Sequence, residues 1–176
     1  MGYNKKLSPR LLAMAGYVRG GERVLDVGSD HAMLPLYLVE NGVSPGAILT
    51  DKVSGPLYKA YGQVGRAIDG RASVRNDSFP CVMGPYEFRL GDGLEAVKAG
   101  EADVAVIAGM GGETIAGILA RKPEIAAGFR RLILQPRTKG AALRAYLAEA
   151  GFVLIADTSA EEKGRMCEIL VAAVRL

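Results

Sequence analysis

The 176-residue chain has no apolar run long enough to span a membrane, and its opening, MGYNKKLSPR, lacks the apolar centre of a signal peptide. Leu7 stands where N-myristoylation behind Met1-Gly2 wants serine or threonine. Cysteine is scarce. Cys81 and Cys167 are far apart and match no metal-ligand spacing, so they read as free thiols of a reducing cytoplasm, and no metal is expected. Excess charge is also small. A net charge of +3 and a pI near 8.9 permit a nucleic-acid partner without requiring one. Internal repeats and low-complexity tracts are missing. What remains is a chain with 49% apolar residues, enough for a globular domain with a full core.

Short apolar runs alternate with helical patterns. RVLDV (Arg23–Val27), GAILTD (Gly46–Asp51), YEFRL (Tyr86–Leu90), DVAVIAG (Asp103–Gly109) and RLILQP (Arg131–Pro136) read as strands. Most are apolar throughout, as parallel strands covered on both faces should be. Helices are expected at Pro9–Tyr17, with Ser8 as N-cap, and at Met33–Asn41, Pro56–Ile68, Leu94–Ala99, Glu113–Ala120 and Ala141–Ala150. This alternation predicts a doubly wound α/β sheet with helices on both faces. The last 26 residues break the rhythm: two strand-like runs flank the polar EEKG, which predicts a hairpin. A mostly parallel, seven-stranded sheet closed by an antiparallel C-terminal hairpin resembles the Rossmann-like class I methyltransferase fold. The polar stretch Asp69–Pro85 reads as a loop insertion that could move. The whole chain, residues 1–176, is expected to form a single domain.

In such folds ligands lie beyond the carboxyl ends of the strands. Asp26, Gly28, Ser29, Asp30 and His31 follow or end the first strand. Asp51 and Lys52 end the second, Gly91, Asp92 and Gly93 follow the third, and Gly109, Met110, Gly111 and Gly112 the fourth. Gln135, Pro136 and Arg137 end the fifth. Singly, these residues have ordinary explanations. An Asp-x-Gly often opens a helix, Asp92-Gly93 is a common turn, and His31 can cap a helix. Met110 is a usual core residue, and Arg130, Arg131, Arg137, Lys139 and Arg144 can form a solvated face. Together they make a pattern. Glycine lets the backbone approach a ligand, and an acid ending the second strand can accept hydrogen bonds from ribose hydroxyls. Asp92 can accept from an adenine amino group. Asp26 and Asp30 would repel a pyrophosphate but suit the sulfonium and ammonium of S-adenosylmethionine. A nicotinamide-dependent oxidoreductase is disfavoured, because the turn lacks G-x-G-x-x-G and a hairpin closes the sheet.

These motifs together resemble the TrmK-type bacterial tRNA (adenine(22)-N(1))-methyltransferases. The matching segments are Leu7-Ser8-Pro9-Arg10-Leu11, Asp26-Val27-Gly28-Ser29-Asp30-His31-Ala32 followed by Leu34-Pro35, Asp51 with Gly55-Pro56, RLGDGL (Arg89–Leu94), GMGG (Gly109–Gly112) and LQP (Leu134–Pro136). The resemblance runs from Leu7 to about Val171. The family more often has Glu where Asp51 stands and usually Asn where Arg137 stands, and its C-terminal helical domain has no counterpart before this chain ends.

The resemblance implies S-adenosylmethionine as cofactor, held by Asp26, Gly28, Ser29, Asp51, Lys52, Gly91, Asp92, Gly93, Gly109, Met110 and Gly111. It implies tRNA or another structured RNA as partner, contacted by Arg10, Gln135, Arg137 and Lys139, in a cytoplasmic protein that is a monomer or weak dimer. Methyl transfer would go to N1 of an exposed adenine, with Asp30 stabilising the cationic product and His31 beside it. Two other readings keep the cofactor: a methyltransferase of a small molecule or protein, and a non-catalytic module that binds S-adenosylmethionine and RNA.

Overall fold

The computed structural model describes residues 6–29, 31–70 and 78–175. Helix α1 (Pro9–Ala15) starts at Ser8, whose hydroxyl accepts the Leu11 N–H, with Pro9 in the first turn. Then follow β1 (Val24–Val27), α2 (Met33–Glu40), β2 (Ala47–Asp51), α3 (Ser54–Asp69), β3 (Cys81–Met83) and β4 (Tyr86–Leu90). The second half runs β5 (Val104–Gly111), α4 (Gly112–Arg121), α5 (Pro123–Gly128), β6 (Arg131–Thr138), α6 (Gly140–Glu149), β7 (Phe152–Glu162) and β8 (Arg165–Val174).

The sheet has the order β3-β4-β2-β1-β5-β6-β8-β7. Strands β4, β2, β1, β5 and β6 are parallel, β3 is antiparallel to β4, and β8 runs antiparallel to both β6 and β7. The central strands are apolar on both faces because both are covered. Leu25, Val27, Ala105, Ile107, Leu132 and Leu134 pack with Ile115, Leu119, Leu143 and Leu147 of α4 and α6. Val24, Val104, Val106 and Ile133 face the other way, against Met14, Leu34 and Leu38 of α1 and α2. From β1 the chain moves outward to β2 and β4, then crosses back to β5 on the other side of β1. That reversal opens a crevice at the carboxyl ends of β1 and β5.

Two expectations are corrected and one element is added. The sheet has eight strands among the described residues rather than seven, because part of the supposed loop, Cys81–Met83, pairs with Tyr86–Phe88. Residues 71–77 of that loop lie outside the described residues. Leu94–Ala99 is not a helix. It forms tight turns, with Glu95 N–H on the Asp92 carbonyl and Val97 N–H on that of Leu94. The segment between Gly93 and Gly100 is too short to repay helix nucleation, and the three-residue spacing already buries Leu94 and Val97. Finally, α5 was not expected, although Pro123 at its first turn and Glu124 beside it are helix-start signals.

The C-terminal hairpin is a projecting ribbon. Strand β8 pairs with β6 only through Leu132–Leu134 opposite Leu170–Ala172, while β7 and β8 stay paired out to Glu162 and Arg165. Because β8 runs opposite to β6, the end of the hairpin, unpaired with β6 but tied to α1 by Arg10–Glu162, reaches past the carboxyl end of β6, toward the crevice.

Candidate functional site

The turn after β1 is tied to β2. Gly28 adopts φ 80°, and both its N–H and that of Ser29 donate to the Thr50 carbonyl, at 2.8 and 3.2 Å. Ser29, buried, donates its hydroxyl to the Asp26 carboxylate. Burial raises the Asp26 pKa to about 6, and the Ser29 hydrogen bond only partly offsets this. Helix α2 begins without a side-chain cap, at Ala32 with φ 51°. The N-cap is thus not His31, whose exposed side chain lines the cleft. Asp30 lies outside the described residues.

Next along the edge, one Asp51 carboxylate oxygen accepts the Val53 N–H at 2.9 Å, and the Asp51 carbonyl accepts the Gly91 N–H at 2.9 Å. Lys52 is exposed. Gly91 and Gly93 are required by packing: a Cβ would lie 2.7 Å from the Ala96 Cβ in the first case and 2.6 Å from Ile118 Cγ2 in the second. The Asp92 carboxylate is half-exposed and pairs with Arg121 of α4 at 2.9 Å. An adenine amino group would have to share that acceptor.

After β5, Gly109 has φ 76° with open space around it, and Met110 places its Cε where a Gly28 Cβ would be. Gly111 is the N-cap of α4. Buried Gln135 is fully engaged. Its Oε1 accepts from the Gly109 N–H at 3.2 Å and Arg10 at 3.0 Å, and its Nε2 donates to the Pro136 carbonyl at 2.9 Å. Arg10 also binds Glu162 at 2.8 Å, joining α1 to the hairpin. Arg137 and Lys139 are exposed, and Lys139 lies 3.8 Å from the Glu113 carboxylate.

Three adjoining hollows follow this edge. One of about 120 Å³ is lined by Gly28, Asp51, Lys52, Asp92, Gly93 and Met110. The second, of about 200 Å³, is lined by Asp26, Gly28, Ser29, His31, Gly109 and Arg10. The third, of about 530 Å³, contains Arg10, Gly109, Gln135, Arg137 and the hairpin residues Glu162, Lys163 and Arg165. The structure thus gathers nearly all the expected residues along one trough and its mouth. Lys139, Gly91 and Gly111 stand outside these linings, and Asp30 is not among the described residues. Sequence reading missed the hairpin tip and Arg121. The tip was recognisable as the charged EEKGR turn, but nothing local indicated which edge of the sheet it would overhang.

The acceptors in the trough fit S-adenosylmethionine. Asp26, Asp51 and Asp92 can take ammonium, hydroxyl and amino donors, whereas the turn amides a phosphate would need are already bound to Thr50.

Comparison with known proteins agrees. The methyltransferase domain family matches residues 7–170. A tRNA (adenine(22)-N(1))-methyltransferase of Bacillus subtilis (strain 168) is 40% identical over 168 residues, covering 95% of this chain; the chain spans 65% of that relative's length. The crystal structure of the B. subtilis m1A22 tRNA methyltransferase TrmK aligns with a TM-score of 0.84 at 39% identity, over 97% of this chain and 67% of that one. Streptococcus pneumoniae Sp1610, solved in complex with S-adenosyl-L-methionine, gives 0.84 at 37% identity, over 97% and 75%.

Proposed function

Because the chain belongs to the family of TrmK-type tRNA (adenine(22)-N(1))-methyltransferases, we propose that it methylates N1 of an adenine in tRNA using S-adenosylmethionine. The observation that carries this reading is the turn after β1. Its amides are spent on the Thr50 carbonyl, and it presents carboxylate where a phosphate-binding loop presents bare N–H.

The cofactor, when bound, supplies an electrophilic methyl group. Asp26 would hold its ammonium end beside the Gly28-Ser29 turn, where the Met110 side chain lies over Gly28. Asp51 offers its second carboxylate oxygen to the ribose hydroxyls, and Asp92 shares its acceptor between Arg121 and the adenine amino group. Lys52 and Gly93 shape the walls, with Gly91 packed behind them on Ala96 and Gly111 opening α4. The open space at Gly109 lets a target base come close to the backbone. Gln135 fixes the Gly109 N–H, so it acts by holding the turn rather than by reaching the base.

An unpaired adenine N1 has a free lone pair and needs no base to deprotonate it. Catalysis is therefore mainly positioning and exclusion of water. Methylation leaves the base cationic. A carboxylate opposing that charge is the role proposed from sequence for Asp30, which lies outside the described residues, and His31 lines the cleft. Arg137 and Lys139 hold RNA phosphates at the mouth.

The test is a calorimetric titration followed by methyl transfer. S-adenosylmethionine and its demethylated product should bind, NAD should not, and a tRNA transcript should gain 1-methyladenine. Binding of NAD in preference to S-adenosylmethionine, or no methyl transfer to tRNA by protein that binds the cofactor, would refute the assignment.

A further inference from the structure

The large hollow at the mouth is lopsided in charge. Arg10, Arg137, Lys163 and Arg165 line it against a single carboxylate, Glu162. That carboxylate is already neutralised by the Arg10 guanidinium at 2.8 Å. The Ser8 hydroxyl and Arg10 together hold it below the usual glutamate pKa, so it stays ionised and occupied. The other three cations are exposed, and none forms an ion pair with a carboxylate among the described residues. Their excess charge at this one place is as large as that of the whole chain.

The placement is the work of the hairpin. Lys163 and Gly164 turn the ribbon with φ 51° and 74°, the positive-φ pair that tightens a two-residue hairpin. The ribbon overhangs the end of β6, where Arg137 stands, and Arg10–Glu162 fastens it to α1. The hollow is wide and open, and it meets the cofactor trough at Arg10 and Gly109. Cations spread over two separate elements around an open basin suit a chain of phosphates better than one small anion.

We propose that the tip of the β7–β8 hairpin is an RNA-phosphate clamp, in which Lys163 and Arg165, opposite Arg137, grip the backbone flanking the target nucleotide. The inference rests on the RNA substrate proposed above. Glu162 is its positioning residue, acting through Arg10.

The experiment measures binding of a tRNA transcript by the full chain across a salt series, with S-adenosylmethionine titrated in parallel. The double variant Lys163→Asn, Arg165→Gln keeps the turn, since asparagine tolerates positive φ. It should bind RNA at least about tenfold more weakly, and its log–log salt slope should fall by about 2. Its cofactor affinity should be unchanged. A charge-matched control, Lys122→Gln with Arg130→Gln, removes two cations near the opposite edge and should retain RNA affinity. Equal losses in both double variants would reduce the clamp to overall charge and overturn it. So would an unaltered affinity and slope in the hairpin variant. A wild-type chain that binds cofactor but no transcript would overturn the RNA reading itself, and the clamp with it.

Discussion

At the scale of the residue, Asp26 is where the proposed cofactor site and stability should conflict. Its carboxylate is desolvated at the base of the cleft, and its pKa rises from 3.8 to about 6, with only the Ser29 hydroxyl pulling the other way. A carboxyl whose folded pKa is raised binds more protons folded than unfolded. Its contribution to stability is full below about pH 4 and is lost as pH rises through about 6. At pH 7.5 the apo protein therefore holds an ill-solvated anion. Asp26→Asn should stabilise it by about 1–3 kcal/mol at that pH, and the gain should vanish by pH 3.5. The same variant should bind S-adenosylmethionine about tenfold or more weakly, through loss of a charge-assisted contact. Thermal unfolding at the two pH values checks the first claim. A variant less stable at pH 7.5 would show that the anion holds the turn together. The acid in the turn was readable from sequence. Its burial and its Ser29 partner were not, because both depend on how β1 packs between its neighbours.

At the scale of the element, the glycine-rich GMGG segment contains residues with different reasons to be glycine. Gly109 needs its positive φ. Gly112 needs its missing side chain, because a Cβ would lie 2.2 Å from the Lys139 carbonyl oxygen, in the loop that opens α6. Backbone cannot yield there as a flexible side chain could. Gly112→Ala should destabilise by about 3 kcal/mol. Gly117→Ala, one turn and a half further along α4 and with nothing within 4 Å, should instead stabilise by about 0.5–1 kcal/mol. Denaturant midpoints of the two variants should move in opposite directions. Movement of both in one direction would remove the packing explanation. Helices and strands with a long apolar pattern were legible within a residue or two, as with β4 at Tyr86–Leu90. The failures were short elements. The three residues of β3 form because β4 offers an edge, and residues 94–99 turn rather than coil because two buried side chains suffice there. Neither cause is local to the segment concerned.

At the scale of the whole molecule, the balance of charge changes along one edge of the sheet, from slightly acidic in the trough, where Lys52 and Arg10 stand among three carboxylates, to basic at the mouth. Carboxylates at the ends of β1 and β2, and in the turn after β4, line the inner trough, while cations with no ion pair among the described residues gather at the mouth beyond β6 and on the hairpin. A cationic cofactor and an anionic nucleic acid would thus approach neighbouring surfaces of opposite sign. The two interactions should respond differently to salt. A polyanion held at exposed cations releases counterions, so its affinity falls steeply with ionic strength, whereas contacts inside a cleft are screened less. A ligand that binds only the folded state stabilises it by about 2.7 kcal/mol at 100 times its dissociation constant. In a protein of this size each kcal/mol moves the midpoint by about 2–4 °C, so saturating S-adenosylmethionine should raise Tm by about 5–11 °C. That shift should persist between 50 and 200 mM salt, while tRNA binding weakens markedly over the same range. NAD should give no shift, because the amides its pyrophosphate requires are bonded to Thr50. A shift from NAD as large as that from S-adenosylmethionine would mean that the turn opens to a phosphate, and the separation of charge would then lose its meaning for the cofactor. A cofactor shift that collapses with salt would place that ligand at the exposed mouth instead of the trough.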